Sequence, residues 1–162
     1  MVLKPTLDDV ASFAPESLAL AGEPGGFGIV GLPVNFVVNA TTHSVTGELF
    51  DLPVTVRFTP ESFEFVAGDG TSRQSATGGQ TWAQLGLAQF SPTATSHAYE
   101  ARGTYSAYTI VRYAAQVDFG NGWVDVPGRL EIPTAATSIR VLEARTALVE
   151  HTCTENPAGP AC

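Results

Sequence analysis

The sequence predicts an all-β domain, and three observations carry that expectation. Charged residues make up 15% of the chain against 44% hydrophobic, with 16 Gly and 11 Pro in 162 residues, a composition rich in turn formers and short of helix formers. Apolar and polar residues alternate with period two in "LPVTVRF" (52–58) and "SFEFVA" (62–67), the pattern of half-buried antiparallel strands. Two β-branched and aromatic runs flank "GNGW" (120–123), where Asn121-Gly122 suits a type I′ hairpin turn because both central residues need positive φ.

The length is that of about one domain, sufficient to bury a core. Residues 1–33 hold Pro5, Pro15, Pro24, Pro33 and the run "GEPGGFGIVG". They read as an extended arm, with a helical turn or two over Asp8 to Phe13, whose Leu18, Leu20, Phe27, Ile29 and Val30 pack on the domain. The domain itself is expected over 34–150. "VNFVV" (34–38) is its first strand; Val54, Val56 and Phe58 share one face of the next, and Phe63 and Phe65 of the one after. Residues 68–96 lack long alternation and read as a long connection, held down by Trp82, Leu85, Leu87 and Phe90; loops of that length tend to carry function. The hairpin around Asn121-Gly122 follows, then a strand over 137–150 that opens with Ile139 and Val141. The expected core includes Phe36, Val54, Val56, Phe58, Phe65, Tyr105 and Ile110, in a fold of about seven strands.

Charge and cysteine usage bound the function. A net charge of −8, with the Arg residues scattered and Lys4 the only Lys, excludes nucleic acid, whose phosphates require clustered cations. No stretch approaches the roughly 20 apolar residues of a membrane helix. "MVLKPTLDDVASF" has neither the apolar stretch nor the cleavage site of a signal peptide. The Thr-rich, Lys-poor composition suits an exported protein better than a cytoplasmic one, so of the two alternatives, a cytoplasmic chain or one whose signal or anchor has been removed ahead of Met1, the second is expected. Cys153 and Cys162 close the sequence in "CTENPAGPAC". Pro157, Gly159 and Pro160 supply turn chemistry, so a disulfide is expected to close the 151–162 tail, with two free thiols as the alternative. Two thiolates beside His151 are too few ligands for a closed zinc site.

"FVAGDGTS" (65–72) followed by "SHAYEARGTYSAYTIV" (96–111) resembles the signature of the polycystic kidney disease (PKD) domain. That signature runs Trp-Asp-Phe-Gly-Asp-Gly, then His-x-Tyr, then Gly-x-Tyr. Gly68, Asp69 and Gly70 match its first part, and His97, Tyr99, Gly103 and Tyr105 the rest. Phe65 stands where the motif has Trp, Val66 where it has its first Asp, and Ala67 where it has an aromatic. The resemblance implies an immunoglobulin-like (PKD-type) antiparallel β-sandwich. The wider frame is similar to actinobacterial exported proteins that carry such a domain, which implies a compartment and no activity.

Each signature residue has a structural reading. Gly68 and Gly70 supply backbone conformations closed to other residues, and Asp69 can hold the turn by accepting backbone N–H bonds. His97 can pack on Phe65, and Tyr99 or Tyr105 can return a hydroxyl to the chain as in a tyrosine corner. The sharper readings are weaker. Ser96, His97 and Asp69 name a catalytic set, but adjacent strand residues point to opposite faces. A calcium site would use Asp69 with Asp118 or loop oxygens, which would make the domain a calcium-stabilised spacer; no metal ligand set or cofactor is expected. A carbohydrate-binding module would use Trp82 and Trp123, with Tyr108 and Tyr113. The expectation is a noncatalytic, secreted or cell-surface module for protein interaction, adhesion or assembly. Its partner is an unknown surface protein, met by the sandwich edges or the 71–96 loop.

Overall fold

The computed structural model describes residues 4–14 and 18–143. More than half of these lie in strands and fewer than one in ten in helices, so the chain is all-β. In order they form α1 (Leu7–Val10) with a 3-10 turn (Ala11–Phe13), β1 (Ala21–Glu23), β2 (Phe27–Ile29), β3 (Pro33–Val37), β4 (His43–Leu49) and β5 (Leu52–Val66). Then come β6 (Ser72–Ser75), α2 (Trp82–Leu85), β7 (Ser96–Ala98), β8 (Gly103–Asp118), β9 (Trp123–Pro133) and β10 (Thr137–Leu142).

Two long strands organise the larger sheet. β5 and β8 pair antiparallel from Thr55 opposite Asp118 to Val66 opposite Tyr108. Each has its outer edge shared by two shorter strands placed end to end. β4 lies along 52–58 of β5 and β6 along 63–66; β9 lies along 110–118 of β8 and β10 along 103–107. β2 adds to β10 in parallel. The smaller sheet has the order β1-β3-β7, all antiparallel.

A bulge in β5 between Pro60 and Ser62 makes this geometry possible. Val54, Val56 and Phe58 point inward from even positions, and Phe63 and Phe65 from odd ones. One extra residue in the strand resets the parity, so both halves bury the same face. The two runs expected as separate strands are therefore one strand of 15 residues. On β8 the inward residues are Ala107, Thr109, Val111, Tyr113, Ala115 and Val117, an unbroken odd series.

Different partners cover the two halves of that face. Toward one end the smaller sheet lies against it, with Phe36 of β3 stacked on Phe65 at 6.3 Å between centroids. Toward the other end the cover is the N-terminal helical segment. Val10 is fully buried, Phe13 lies against Gly47 of β4 and Leu7 against Gly128 of β9, where a side chain on either glycine would collide. Thr6 and Asp9 form a reciprocal capping box that fixes this helical turn, satisfying donors the short helix would otherwise leave open.

Several expectations need correction. Segment 18–33 is not only an arm: β1 and β2 are strands of the two sheets. Ten strands form among the described residues, where about seven were expected; β4 was missed because Gly47 and His43 interrupt its alternation. The 68–96 connection holds β6 and α2 and enters β7. Ile110 is half-buried on the outer face, one residue out of register with the inward series, and Tyr105 is half-buried at the margin of the core. The β8–β9 hairpin forms, but not as a two-residue Asn-Gly turn. Asp118 pairs with Trp123 across a four-residue loop, and Gly120 and Gly122 carry the positive φ. Both donate their N–H to Asp118 Oδ1, at 2.7 and 3.2 Å. Residues 144–150 of the expected last strand, and the Cys153–Cys162 tail, lie outside the described residues.

Candidate functional site

The signature residues converge on the turn that follows β5. Gly68 has φ of 91°, and a Cβ there would strike the backbone of Ser106 in β8, so only glycine lets the chain turn this close to its neighbour. Asp69 Oδ1 accepts the Thr71 backbone N–H at 3.0 Å and the Thr71 hydroxyl, an Asx turn. Its other oxygen, Oδ2, is 2.6 Å from Nε2 of His97 on β7. Thr71 Oγ1 lies 3.3 Å from the same nitrogen. One carboxylate thus ties the β5–β6 turn to the smaller sheet.

Behind this pair lies an aromatic stack. His97 meets Tyr99 edge to face at 4.7 Å, and Tyr99 stacks on Tyr105 at 4.5 Å. Tyr99 is 1% exposed, and its hydroxyl donates to the Ala67 carbonyl at 2.7 Å. Tyr105 donates to the Ala101 carbonyl four residues upstream, also at 2.7 Å. His97 was expected to pack on Phe65; it packs on Tyr99 and bonds to the Asp69 carboxylate.

The electrostatics follow from these contacts. Burial works to raise the Asp69 pKa, but the hydrogen bonds from Thr71 and His97 outweigh it and hold the carboxyl below its ordinary value. Burial, with Asp69 and Tyr105 nearby, pushes the Tyr99 phenol well above the usual range, so it stays neutral and a donor. Ser96 faces the other way: its hydroxyl donates to the Thr93 carbonyl at 3.0 Å and accepts the Thr93 N–H at 2.8 Å. Ser96, His97 and Asp69 are therefore not a nucleophile, base and orienter set. Asp69 and Asp118 cannot share a cation either, because β8 separates their ends by roughly 33 Å at about 3.3 Å per residue. Among the described residues no group of three or more His, Cys, Asp and Glu is placed to hold a metal ion.

The 76–95 loop is anchored from within. Asn35 of β3 is fully buried. Its Nδ2 donates to Glu23 Oε1 at 2.6 Å and to the Gln80 carbonyl at 2.8 Å, and its Oδ1 accepts from Thr93 Oγ1 at 2.7 Å. Trp82, considered for a ligand-facing role, is 3% exposed. Its backbone N–H bonds Glu23 and its indole N–H bonds the Ser91 carbonyl, both at 2.9 Å. Tyr113 is likewise buried. Neither ring is open to a sugar.

Trp123 is different, at 40% exposure on the outer face of the larger sheet. The Arg57 guanidinium sits 4.0 Å above its ring centroid. Arg57 donates to Gln116 Oε1, and Gln116 Nε2 donates to Asp125 Oδ1 at 2.7 Å. At the same end of the sheet the β4–β5 hairpin turns through Phe50 and Asp51, with Leu49 opposite Leu52. Phe50 and Asp51 have φ of 55° and 63°, a two-residue turn with both central residues left-handed. Phe50 is 47% exposed and stacks on Phe119 of the β8–β9 loop at 6.4 Å. The alternation of the sequence does not single out Phe50. The available signal was "LFDL" (49–52) between two alternating runs, at hairpin spacing but with Phe-Asp where Asn-Gly is the favoured pair.

No protein-family model matches the chain, and no curated protein matches it.

Proposed function

We propose that this chain is a noncatalytic extracytoplasmic module, secreted or held at a cell surface, that acts by binding another protein. In this reading the two sheets form a PKD-like, immunoglobulin-like sandwich. The observation that carries the reading is how the polar signature residues are used. Asp69, Thr71, His97, Tyr99 and Tyr105 bond one another or nearby backbone, which supports a structural role for the groups that would otherwise be the chemical candidates. The net charge of −8 favours a basic partner.

Cross-linking on the producing cell, followed by identification of the linked chains, tests the reading. A specific protein neighbour recovered in repeated experiments supports it; abundant bystanders alone, or a chain found inside the cytoplasm, would sink it. Thiol labelling before and after reduction tests the compartment, since exported Cys153 and Cys162 should react only after reduction.

A glycan reading has one observation behind it, the exposure of Trp123. It requires that a soluble cell-wall glycan quench tryptophan fluorescence and that Trp123→Ala abolish the quench. A flat titration removes it.

A further inference from the structure

β4 and β9 are the two long edges of the larger sheet, and they are finished differently. Along β9 the ladder with β8 breaks between Tyr113 and Ala115, Pro127 at the break has no N–H to offer, and Leu7 packs on it at Gly128. Bulges, prolines and covering segments keep a sheet edge from pairing further. The remaining edges, β1, β2, β6 and β7, have three or four residues each. β4 is a seven-residue strand that pairs with β5 without a register break. It contains no Pro and no Lys, its single formal charge is Glu48, and among the described residues β5 is its only strand partner.

The hairpin fixes which backbone groups of β4 are open. Leu49 and Leu52 close a two-residue turn and are therefore a pair that exchanges both hydrogen bonds. Such pairs alternate with pairs that exchange none. Val45, Gly47 and Leu49 thus bond β5, whereas Ser44, Thr46 and Glu48 turn their N–H and C=O groups away from it. Their side chains are exposed, and no other segment among the described residues bonds their backbone.

An edge of open backbone groups takes an extended strand, and the residues of β4 select a second copy of itself. Paired antiparallel about Thr46, two copies set Thr46 on Thr46, Ser44 on Glu48 and Val45 on Gly47. Each outward N–H then meets a C=O of the other copy, and no two charges stand opposite each other. Thr–Thr pairs across strands are favourable and like charges are not. The point matters in a chain of net charge −8, whose copies repel wherever carboxylates meet. No Asp, Glu, Lys or Arg lies between Glu23 and Glu48. Because Arg57 stands opposite Ser44 in β5, the first charge that Glu48 faces across the pair is Arg57 of the other copy, two strand spacings or about 10 Å away.

We infer that this chain pairs with a second copy through β4, antiparallel about Thr46, so that two larger sheets join into one continuous sheet. This contact is between copies of one chain and is separate from the module's contact with another protein, so either can fail while the other stands.

The test uses the whole chain. Sedimentation equilibrium between about 10 μM and about 1 mM should show monomer passing into dimer, the behaviour of a small interface. Amide hydrogen exchange, read by NMR, gives the place. The N–H groups of Ser44, Thr46 and Glu48 should exchange fast in dilute solution and slow down as dimer fills, while those of Val45, Gly47 and Leu49 are slow throughout. Thr46→Pro removes an outward N–H and keeps the bonds to β5; it should weaken dimerisation at least about tenfold, or ~1.4 kcal/mol. Thr46→Lys sets like charges on each other at the centre of the pair and should weaken it as much, with the melting temperature of the dilute monomer unchanged. A chain that stays monomeric across that range, a dimer in which the Ser44, Thr46 and Glu48 amides remain fast, or a dimer that Thr46→Lys leaves at wild-type strength would each overturn the inference.

Discussion

Two turns at opposite ends of the long β5 strand have been solved in opposite ways. After β5, Gly68 and Gly70 take the positive φ values and Asp69 between them makes bonds with Thr71 and His97. Before β5, Phe50 and Asp51 take the positive φ values themselves, and the Phe50 side chain projects half into water. The first turn puts each residue where its intrinsic preference lies, and local and global demands agree. The second sets them against each other at a place with little packing to gain. Agreement of that kind marks structural work, whereas at the second turn the strained backbone is set against the stacking of a half-exposed ring on Phe119.

The comparison breaks most severely at Gly68. Gly68→Ala combines a left-handed backbone with a collision against the Ser106 carbonyl. The expected loss is about 3 kcal/mol, from strain and overpacking together, read as a fall in the midpoint of urea unfolding. A loss under about 1 kcal/mol would mean that this turn is slack and that the contrast between the two ends is overdrawn. Tyr99→Phe comes next. It removes a buried hydroxyl and leaves the Ala67 carbonyl without that donor, which should cost about 1–2 kcal/mol.

Asp69→Asn sharpens the comparison through pH. The folded carboxyl titrates below its ordinary value, so its contribution is fully present above the unfolded pKa, near 3.9. It disappears as pH falls through the lower folded value. Wild type should exceed Asp69→Asn by about 1 kcal/mol at neutral pH, a value set by charged hydrogen bonds at a partly exposed site. The two melting curves should converge on the acid side of pH 4. A constant gap from pH 7 to pH 2 would show that the Asp69 charge contributes nothing.

Legibility in the sequence follows the same division. The all-β class and the buried faces of β5 were readable because Val54, Val56, Phe58, Phe63 and Phe65 alternate with polar residues, and period two has one simple structural meaning. Their union into one strand was hidden, since a bulge at Pro60–Ser62 looks in sequence like a turn between two strands. Ile110 was placed in the core by residue type alone, whereas Ser106, Arg112 and Gln116 share its parity and put it on the outer face, opposite the buried odd series. Trp82 is expected to hold the 68–96 connection down and does so; its partners were hidden, since Glu23, which accepts its backbone N–H, and Asn35, which bonds Glu23 and Gln80, come from about 50 positions earlier. Phe50 escaped notice because exposure and φ are properties of the folded chain, and "LFDL" alone reads as apolar strand ends.

The smallest expected effect is the most discriminating. Truncating a Phe in a packed core costs about 3–5 kcal/mol. Phe50→Gly should fall within about 0.5 kcal/mol of wild type, because three modest terms nearly cancel. Relief of the left-handed backbone returns about 1–2 kcal/mol. The added freedom of glycine in the unfolded chain takes back about 0.4–1 kcal/mol, and the lost stacking on Phe119 about 0.5–1 kcal/mol at a half-exposed site. A double substitution of Phe50→Asn with Asp51→Gly should be the more stable variant, since that pair prefers the same turn. Chemical unfolding of the three chains side by side decides the matter. If Phe50→Gly loses more than about 1.5 kcal/mol, Phe50 is a packing residue after all, its strain is offset inside the fold, and the two turns differ in style without differing in purpose.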